Sequence, residues 1–218
     1  MYISDILQQD AYGIHSGQSI QEALDKMNAQ ERSSIPFLSE KKYEGLLLKK
    51  ELDSIRDKKD LAADSHAAFI YGYATQHPYE YFGQMSRFMI DLLPICDFSQ
   101  KYLGYVTLSD VTAALNKILS TDQEGSIILI ELASHDVSFS HIAHIIEMEN
   151  GKIINMTAQP ISETDKVDLH IKIAQKRIDA IVSSLIRNNY FVKATFSNDQ
   201  EHSNIESRYK QLMHYIDL

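Results

Sequence analysis

The sequence predicts a mixed α/β (α+β) protein, with two copies of a β-α-β-β-α unit followed by one βαββαβ unit. The first observation is an internal repeat, because residues 19–36 align with residues 77–94 at an offset of 58 without a gap. After one inserted residue, Gly45–Leu52 aligns with Gly104–Val111. Such a repeat indicates that neither copy closes its own core and that the two pack together. The second observation is a change of pattern from Ser126 onward, where strand and helix patterns follow in the order βαββαβ.

Each copy contains a helix with a recognisable start. In the first copy, Ser19 caps a helix that runs through Ala29, and Glu22 completes a capping box. In the second copy, Pro78 occupies the first turn of a helix that runs to Phe88, where proline is tolerated.

The polar segment 120–125 ends in glycine and marks a domain boundary. The chain is therefore predicted to consist of four segments, at residues 1–60, 61–122, 125–198 and 199–218, the last a polar, weakly amphipathic tail.

The most informative stretch is Gly104–Asp110, which reads Gly-Tyr-Val-Thr-Leu-Ser-Asp. Its β-branched and aromatic residues predict a strand, and Ser109 and Asp110 are good N-cap residues for a helix over Val111–Leu119. Thr107 and Asp110 then lie at a strand-to-helix junction, where free helix N–H groups point outward. Their hydroxyl and carboxylate could both bind a vicinal diol such as a ribose. An ordinary helix cap beside a strand threonine is the alternative, and the spacing alone favours it.

The duplication, this turn and the Leu93-Pro94-Ile95 strand resemble a tandem pair of CBS domains, also called a Bateman module, over roughly residues 1–122. In that family the Thr and Asp of the turn commonly hold the ribose of an adenine nucleotide. The resemblance therefore implies a nucleotide site in the second copy, formed by Thr107, Ser109, Asp110, Leu93, Pro94 and Ile95.

The first copy departs from the motif, because Leu48 replaces the threonine and Glu51 replaces the aspartate. We therefore expect at most one nucleotide per chain. The candidates for a phosphate-binding cation are Lys49, Lys50 and Arg87.

The third unit, over residues 126–196, has the ferredoxin-like order βαββαβ. In length and order it resembles an ACT domain, a small-molecule sensor module. Effector-binding members usually place a glycine in the turn between the first strand and the first helix, where this chain has Val137. A β-branched residue does not readily adopt positive φ, so we favour a structural or dimerising role. The CBS–CBS–ACT order resembles the acetoin-utilisation B type of protein.

Composition excludes several classes of function. The net charge of −9 and pI near 5.4, with no basic cluster, argue against nucleic acid as a partner. The single Cys96 excludes an intramolecular disulfide and suits a reducing cytoplasm. No signal peptide and no run of 18 apolar residues is present, so we predict a cytoplasmic protein without a membrane partner.

The histidines His135, His141 and His144 are candidate metal ligands, with Asp136 and Glu147 close in sequence. Histidines on a polar helix face are usually solvated, and we predict no metal. No nucleophile elbow and no glycine-rich phosphate loop appears in the sequence, so we predict no enzyme activity.

The preferred function is a non-catalytic regulatory sensor with no required cofactor. Its expected ligand is AMP, ADP, ATP or S-adenosylmethionine. The aromatic helix Tyr79–Met89 is interpreted as core or as the face of a homodimer. The alternative function is a structural or interaction protein with vestigial CBS pockets that dimerises through its CBS and ACT-like domains.

Overall fold

The computed structural model describes residues 1–10, 12–55, 57–59, 62 and 67–197. The chain divides into two compact units, Met1–Ile118 and Leu119–Leu218. The predicted tail at 199–218 lies outside the described residues.

The first unit contains two β-α-β-β-α repeats, as predicted. The elements of the first repeat are β1 (Ile14–His15), α1 (Ile20–Ala29), β2 (Ser34–Ser39), β3 (Lys42–Leu48) and α2 (Lys49–Ser54). Those of the second are β4 (Gly72–Tyr73), α3 (Pro78–Phe88), β5 (Leu92–Cys96), β6 (Tyr102–Thr107) and α4 (Leu108–Leu119).

The strand register reproduces the offset read from the sequence. Ile14 pairs with Phe37 in the first repeat, and Gly72 pairs with Ile95 in the second, both in parallel. The extra residue of the second repeat lies in the hairpin turn between β5 and β6, where the backbone N–H of Asp97 donates to the carbonyl of Lys101 at 3.0 Å.

The two repeats exchange short backbone segments. Gln8, which precedes β1 in the first repeat, pairs with Tyr105 on β6, and Ala68, which precedes β4 in the second repeat, pairs with Leu46 on β3. Gly104 has φ of +144°, and a Cβ there would lie 2.1 Å from the Gln8 carbonyl oxygen. At the equivalent Gly45 a Cβ would lie 2.6 Å from the Ala67 Cβ. Each glycine is required because a segment of the other repeat crosses its strand.

One apolar core joins both repeats. The apolar residues of α1 that recur at helical spacing are buried, as are Tyr81 and Met85 of α3; in α1 these residues are Ile20, Ala23, Leu24 and Met27. The aromatic helix is therefore core on one side. Its other side is exposed, because four large apolar residues on and just after α3 remain open to solvent, namely Tyr79, Phe82, Phe88 and Met89.

The second unit is a four-stranded antiparallel sheet with two helices. Its elements are β7 (Ser126–Ala133), α5 (Phe139–Met148), β8 (Ile153–Pro160), β9 (Lys166–Ile173), α6 (Asp179–Arg187) and β10 (Phe191–Phe196). The order β10-β7-β9-β8 is the ferredoxin-like arrangement, which confirms the predicted fold class. The residues Ser126–Ala133 are apolar on both faces at first, which predicts a central strand, and β7 does lie between β10 and β9. It is not buried on both faces, because Ile127 is 37 % exposed while Ile128 and Ile130 are fully buried.

No helix in the described part of the chain is long and apolar enough to cross a membrane.

Candidate functional site

The candidate site lies where β6 ends and α4 begins. The helix begins at Leu108, so Thr107 takes the N-cap position and Asp110 the third helical position. The Asp110 N–H donates to Thr107 Oγ1 at 3.1 Å, and the Thr107 N–H donates to Asp110 Oδ2 at 2.9 Å. This reciprocal pair is a capping box. The assignment of Ser109 and Asp110 as N-cap residues was wrong, because β6 extends to Thr107 and the helix starts at once.

One oxygen of Asp110 receives three donors. Besides the Thr107 N–H, Oδ2 accepts from Thr107 Oγ1 at 2.7 Å and from Gln8 Nε2 at 2.7 Å. No donor among the described residues bonds Oδ1. Thr107 is buried and Asp110 is half-buried. The carboxylate is thus held in a fixed orientation, with a second oxygen available to a hydroxyl.

The first repeat lacks this arrangement. Leu48 is the N-cap of α2 and offers no side-chain hydrogen bond. Glu51, at the place of Asp110, is exposed, and Ala68 stands where the second site has Gln8. The turns of the two repeats therefore differ in geometry as well as in sequence.

The other predicted nucleotide-binding residues are placed less favourably. Leu93, Pro94 and Ile95 are buried, and Ser109 is exposed. The three residues of β5 pair with β6 and so support the turn from the neighbouring strand. A role for them in ligand contact stays a prediction.

The cations that were predicted to bind a phosphate form no hydrogen bond or ion pair with Thr107 or Asp110 among the described residues. Lys49 Nζ donates to Asn28 Oδ1 at 2.6 Å. Lys50 and Arg87 make no hydrogen bond or ion pair with the turn among the described residues, and Arg87 is exposed.

Sequence reasoning missed the side chains that surround the turn. Tyr105 lies two residues before Thr107 on the same side of β6, and its hydroxyl donates to Asp10 Oδ2 at 2.8 Å. Burial, followed by this carboxylate, raises the pKa of Tyr105 to about 12. The guanidinium of Arg32 lies over the same ring, with Cζ 5.9 Å from the centroid.

Asp91 links the two repeats near this cluster. Its Oδ1 accepts from the hydroxyls of Ser33 at 2.6 Å and Ser34 at 2.8 Å, and its Oδ2 accepts from the Ser33 N–H at 3.0 Å. Ser33 and Asp91 are 58 residues apart and so occupy equivalent positions in the repeats. Only the alignment of the repeats could have suggested that they meet.

The second unit has a cavity of about 510 Å³ beside the start of α5. Its lining includes His141, whose Nδ1 lies 2.7 Å from the hydroxyl of Tyr190. His135 lies instead 3.6 Å from Asp136 and 3.7 Å from Asp165. Among the described residues, no group of three or more His, Cys, Asp or Glu side chains is close enough to hold a metal ion.

No protein-family model matches the chain, and no curated protein matches it. Similar solved structures include a CBS domain pair/ACT domain protein from Thermotoga maritima, with 16 % identity, 54 % of this chain and 98 % of that chain covered, and a TM-score of 0.49. Another is a CBS domain pair in complex with 5′-methylthioadenosine and S-adenosyl-L-methionine, with 21 % identity, 54 % and 97 % coverage, and a TM-score of 0.47. The CBS domains of a transcriptional regulator from Streptococcus pneumoniae match with 14 % identity, 52 % and 98 % coverage, and a TM-score of 0.47. Similarity at this level assigns neither a ligand nor an assembly to this chain.

Proposed function

We propose that the first unit is a CBS-type pair that binds an adenine nucleotide or adenosyl ligand at the Thr107–Asp110 turn, and that the protein is a non-catalytic regulator. The observation that carries the proposal is the donor set on Asp110. Its carboxylate already accepts from a hydroxyl and from the side-chain amide of Gln8. A ribose diol presents two hydroxyl donors of the same kind, and one of them can replace the amide while the other uses Oδ1.

Two further features support a ligand at this place. The turn is fixed by its capping box, so little conformational entropy is lost when a ligand binds it. The equivalent turn of the first repeat has no hydroxyl and no oriented carboxylate. The same difference supports at most one nucleotide site per chain.

The test is a thermal-shift series with AMP, ADP, ATP, adenosine and S-adenosylmethionine, followed by calorimetry of each compound that raises the melting temperature. A ligand that binds the folded state alone raises the melting temperature by mass action. The proposal is supported if Asp110→Asn reduces the ligand-induced shift in melting temperature and Glu51→Gln leaves that shift unchanged. No shift with any compound contradicts it, and turnover of a bound nucleotide in a product assay contradicts the non-catalytic role.

The second candidate function is a structural or interaction protein with vestigial pockets. The capping box favours it, because Thr107 and Asp110 satisfy each other without a ligand. In this case the chain is a homodimer that associates through the exposed aromatic side of α3 and through the second unit, which we propose is ACT-like. Light scattering at tens of micromolar tests the assembly, and a monomer contradicts it. A cytoplasmic location stays a prediction in both cases.

A further inference from the structure

One face of the sheet in the second unit is not covered by the helices that the structure describes in that unit. Helices α5 and α6 pack on the other face, where Ile128 and Ile130 of β7 are buried against them. Because side chains alternate along a strand, Ile127 and Leu129 point to the opposite side. We call that side the open face of the sheet.

The open face has an apolar corner at the end of β10. Phe196, the last residue of β10, pairs with Ile127, and Ala194 pairs with Leu129. These four residues form the apolar corner. Phe196 is 57 % exposed and Ile127 is 37 % exposed. A large apolar surface is therefore open at the strand from which the C-terminal segment departs.

The lysines nearest to this corner already have partners. Lys193 Nζ lies 2.9 Å from Asp168 Oδ2 and 3.6 Å from Glu131 Oε2. Lys172, which pairs with Ile127, donates through Nζ to two backbone carbonyls that precede β7, at 2.6 and 2.9 Å. An apolar side chain can therefore pack on the corner without separating an ion pair.

The C-terminal segment 199–218, which begins two residues after β10, has a second apolar surface encoded in its sequence. Five apolar residues recur in it at the spacing of one helical face, namely Ile205, Tyr209, Leu212, Met213 and Ile216. We call these five residues the apolar stripe. Gln211 and His214 fall on the opposite side of the same helical pattern. A helix of about 12 residues is marginal in water by itself, so this pattern favours a helix that is stabilised by packing on an apolar surface.

The length of the segment matches the open face. As a helix, the apolar stripe is about 17 Å long at 1.5 Å per residue, and four strands span about 14 Å at 4.8 Å between neighbours. Residues 197–204 reach up to about 26 Å when extended, which is enough to turn back from β10 onto the sheet. A tether of this length gives an effective concentration in the mM range. The segment of the same chain therefore outcompetes a second copy at micromolar concentration.

We propose that residues 205–216 form an amphipathic helix that packs its apolar stripe on the apolar corner and across the open face of the same chain. The sheet of the second unit then has helices on both faces. The open face is withdrawn from contact with other molecules. This inference uses no residue of the nucleotide site, so it is tested independently of the proposed function.

The experiment places a fluorescent reporter at the apolar corner. The chain contains no tryptophan, so Phe196→Trp in the full chain gives a single emitting residue. We expect emission at short wavelength with weak quenching by acrylamide, because the helix covers the corner. Leu212→Asp with Met213→Asp puts charges in the apolar stripe and should shift the emission to longer wavelength and increase quenching several-fold. The matched control is Gln211→Asp with His214→Asp, which makes the same change in charge on the opposite side and should leave the emission unchanged.

Protein concentration distinguishes the segment of the same chain from that of a second copy. Between roughly 1 and 100 μM the emission of Phe196→Trp should stay constant, since the effective concentration of the tethered segment exceeds this range. A shift to longer wavelength on dilution would assign the cover to a second copy and overturn the inference. Emission typical of an exposed tryptophan at every concentration would overturn it as well.

A second reporter serves if tryptophan disturbs the sheet. Ile127→Cys introduces a thiol at the corner, whereas the native Cys96 is buried and reacts slowly. Labelling of the new thiol by iodoacetamide should be several-fold slower in the otherwise unchanged chain than in the variant that also carries Leu212→Asp and Met213→Asp. Equal rates in the two proteins overturn the inference.

Discussion

The Asp110 carboxylate shows how one side chain can serve both the fold and a candidate site. Oδ2 secures the start of α4 through two bonds from Thr107 and also holds the amide of Gln8. A variant must therefore remove the charge without removing the acceptor. Asparagine meets this condition, because its side-chain oxygen can still accept from the Thr107 N–H.

We expect Asp110→Asn to weaken the binding of an adenine nucleotide by about 1.5–3 kcal/mol, the typical value of a hydrogen bond to a charged group. Thr107→Val acts in the same direction by a smaller step. The fold is retained, with a loss of about 0.3–1 kcal/mol for the missing charge near the helix N-terminus. Calorimetry measures the affinity, and Glu51→Gln is the matched control. Unchanged affinity in Asp110→Asn would mean that the turn is only a helix cap.

Cys96 is predicted to be unreactive in the folded protein. It is 1 % exposed, and burial raises the pKa of its thiol to about 12, so the thiolate is negligible between roughly pH 7 and 9. Labelling by iodoacetamide should be slow in native buffer and should gain little rate over that pH range. The same reaction in denaturant should be fast. A native rate that follows an ordinary thiol titration would contradict the burial of this residue.

Single elements differ in how well the sequence predicts them. The apolar pattern of the sequence predicts a strand over Ser126–Ala133 and a helix over Phe139–Met148, and these are the bounds of β7 and α5, because each element has a local pattern of apolar residues. The role of the N-terminal segment could not be predicted, since Gln8 binds a residue 102 positions away. Arg32 was missed for the same reason. Its one signal is a lone cation just before a buried strand, which is too common to be informative.

Gly104 tests the packing of the N-terminal segment on β6. We expect Gly104→Ala to destabilise the first unit by roughly 1–3 kcal/mol, because the backbone has positive φ and the new Cβ meets the Gln8 carbonyl. Gly83→Ala is the matched control. Gly83 lies within α3, and a Cβ added there would meet open space, so alanine should stabilise by about 0.5–1 kcal/mol. Thermal unfolding measures both, and equal shifts would contradict the close approach at Gly104.

The Gln8 side chain is expected to compete with a ligand for Asp110. Gln8→Ala removes the amide that occupies Oδ2, so nucleotide affinity should rise roughly two- to tenfold, the net value of one hydrogen bond. The matched control is Gln21→Ala, since Gln21 makes a similar bond to Asp25 at 2.8 Å on the exposed side of α1. A loss of affinity in Gln8→Ala would instead identify Gln8 as a ligand contact.

At the scale of the whole molecule, the two repeats share one architecture but differ in the turn that joins the last strand of each repeat to its last helix. The exchange of segments is reciprocal, with Gln8 on Tyr105 and Ala68 on Leu46. The side chains at the two turns are not equivalent, because the first repeat has Leu48 and Glu51 at the places of Thr107 and Asp110. The sequence alignment predicted this asymmetry, since it depends on residue identity alone.

We therefore expect calorimetry to give at most one nucleotide per chain, whatever the oligomeric state. The double variant Leu48→Thr with Glu51→Asp rebuilds the hydroxyl and carboxylate of the turn in the first repeat. Ala68 leaves that carboxylate without a competing amide, so a second, weaker binding event should appear. Asp110→Asn in the same background should remove the original event and keep the new one. Two equal sites in the parent protein would contradict the asymmetry, because the first repeat would then bind nucleotide without a hydroxyl at residue 48.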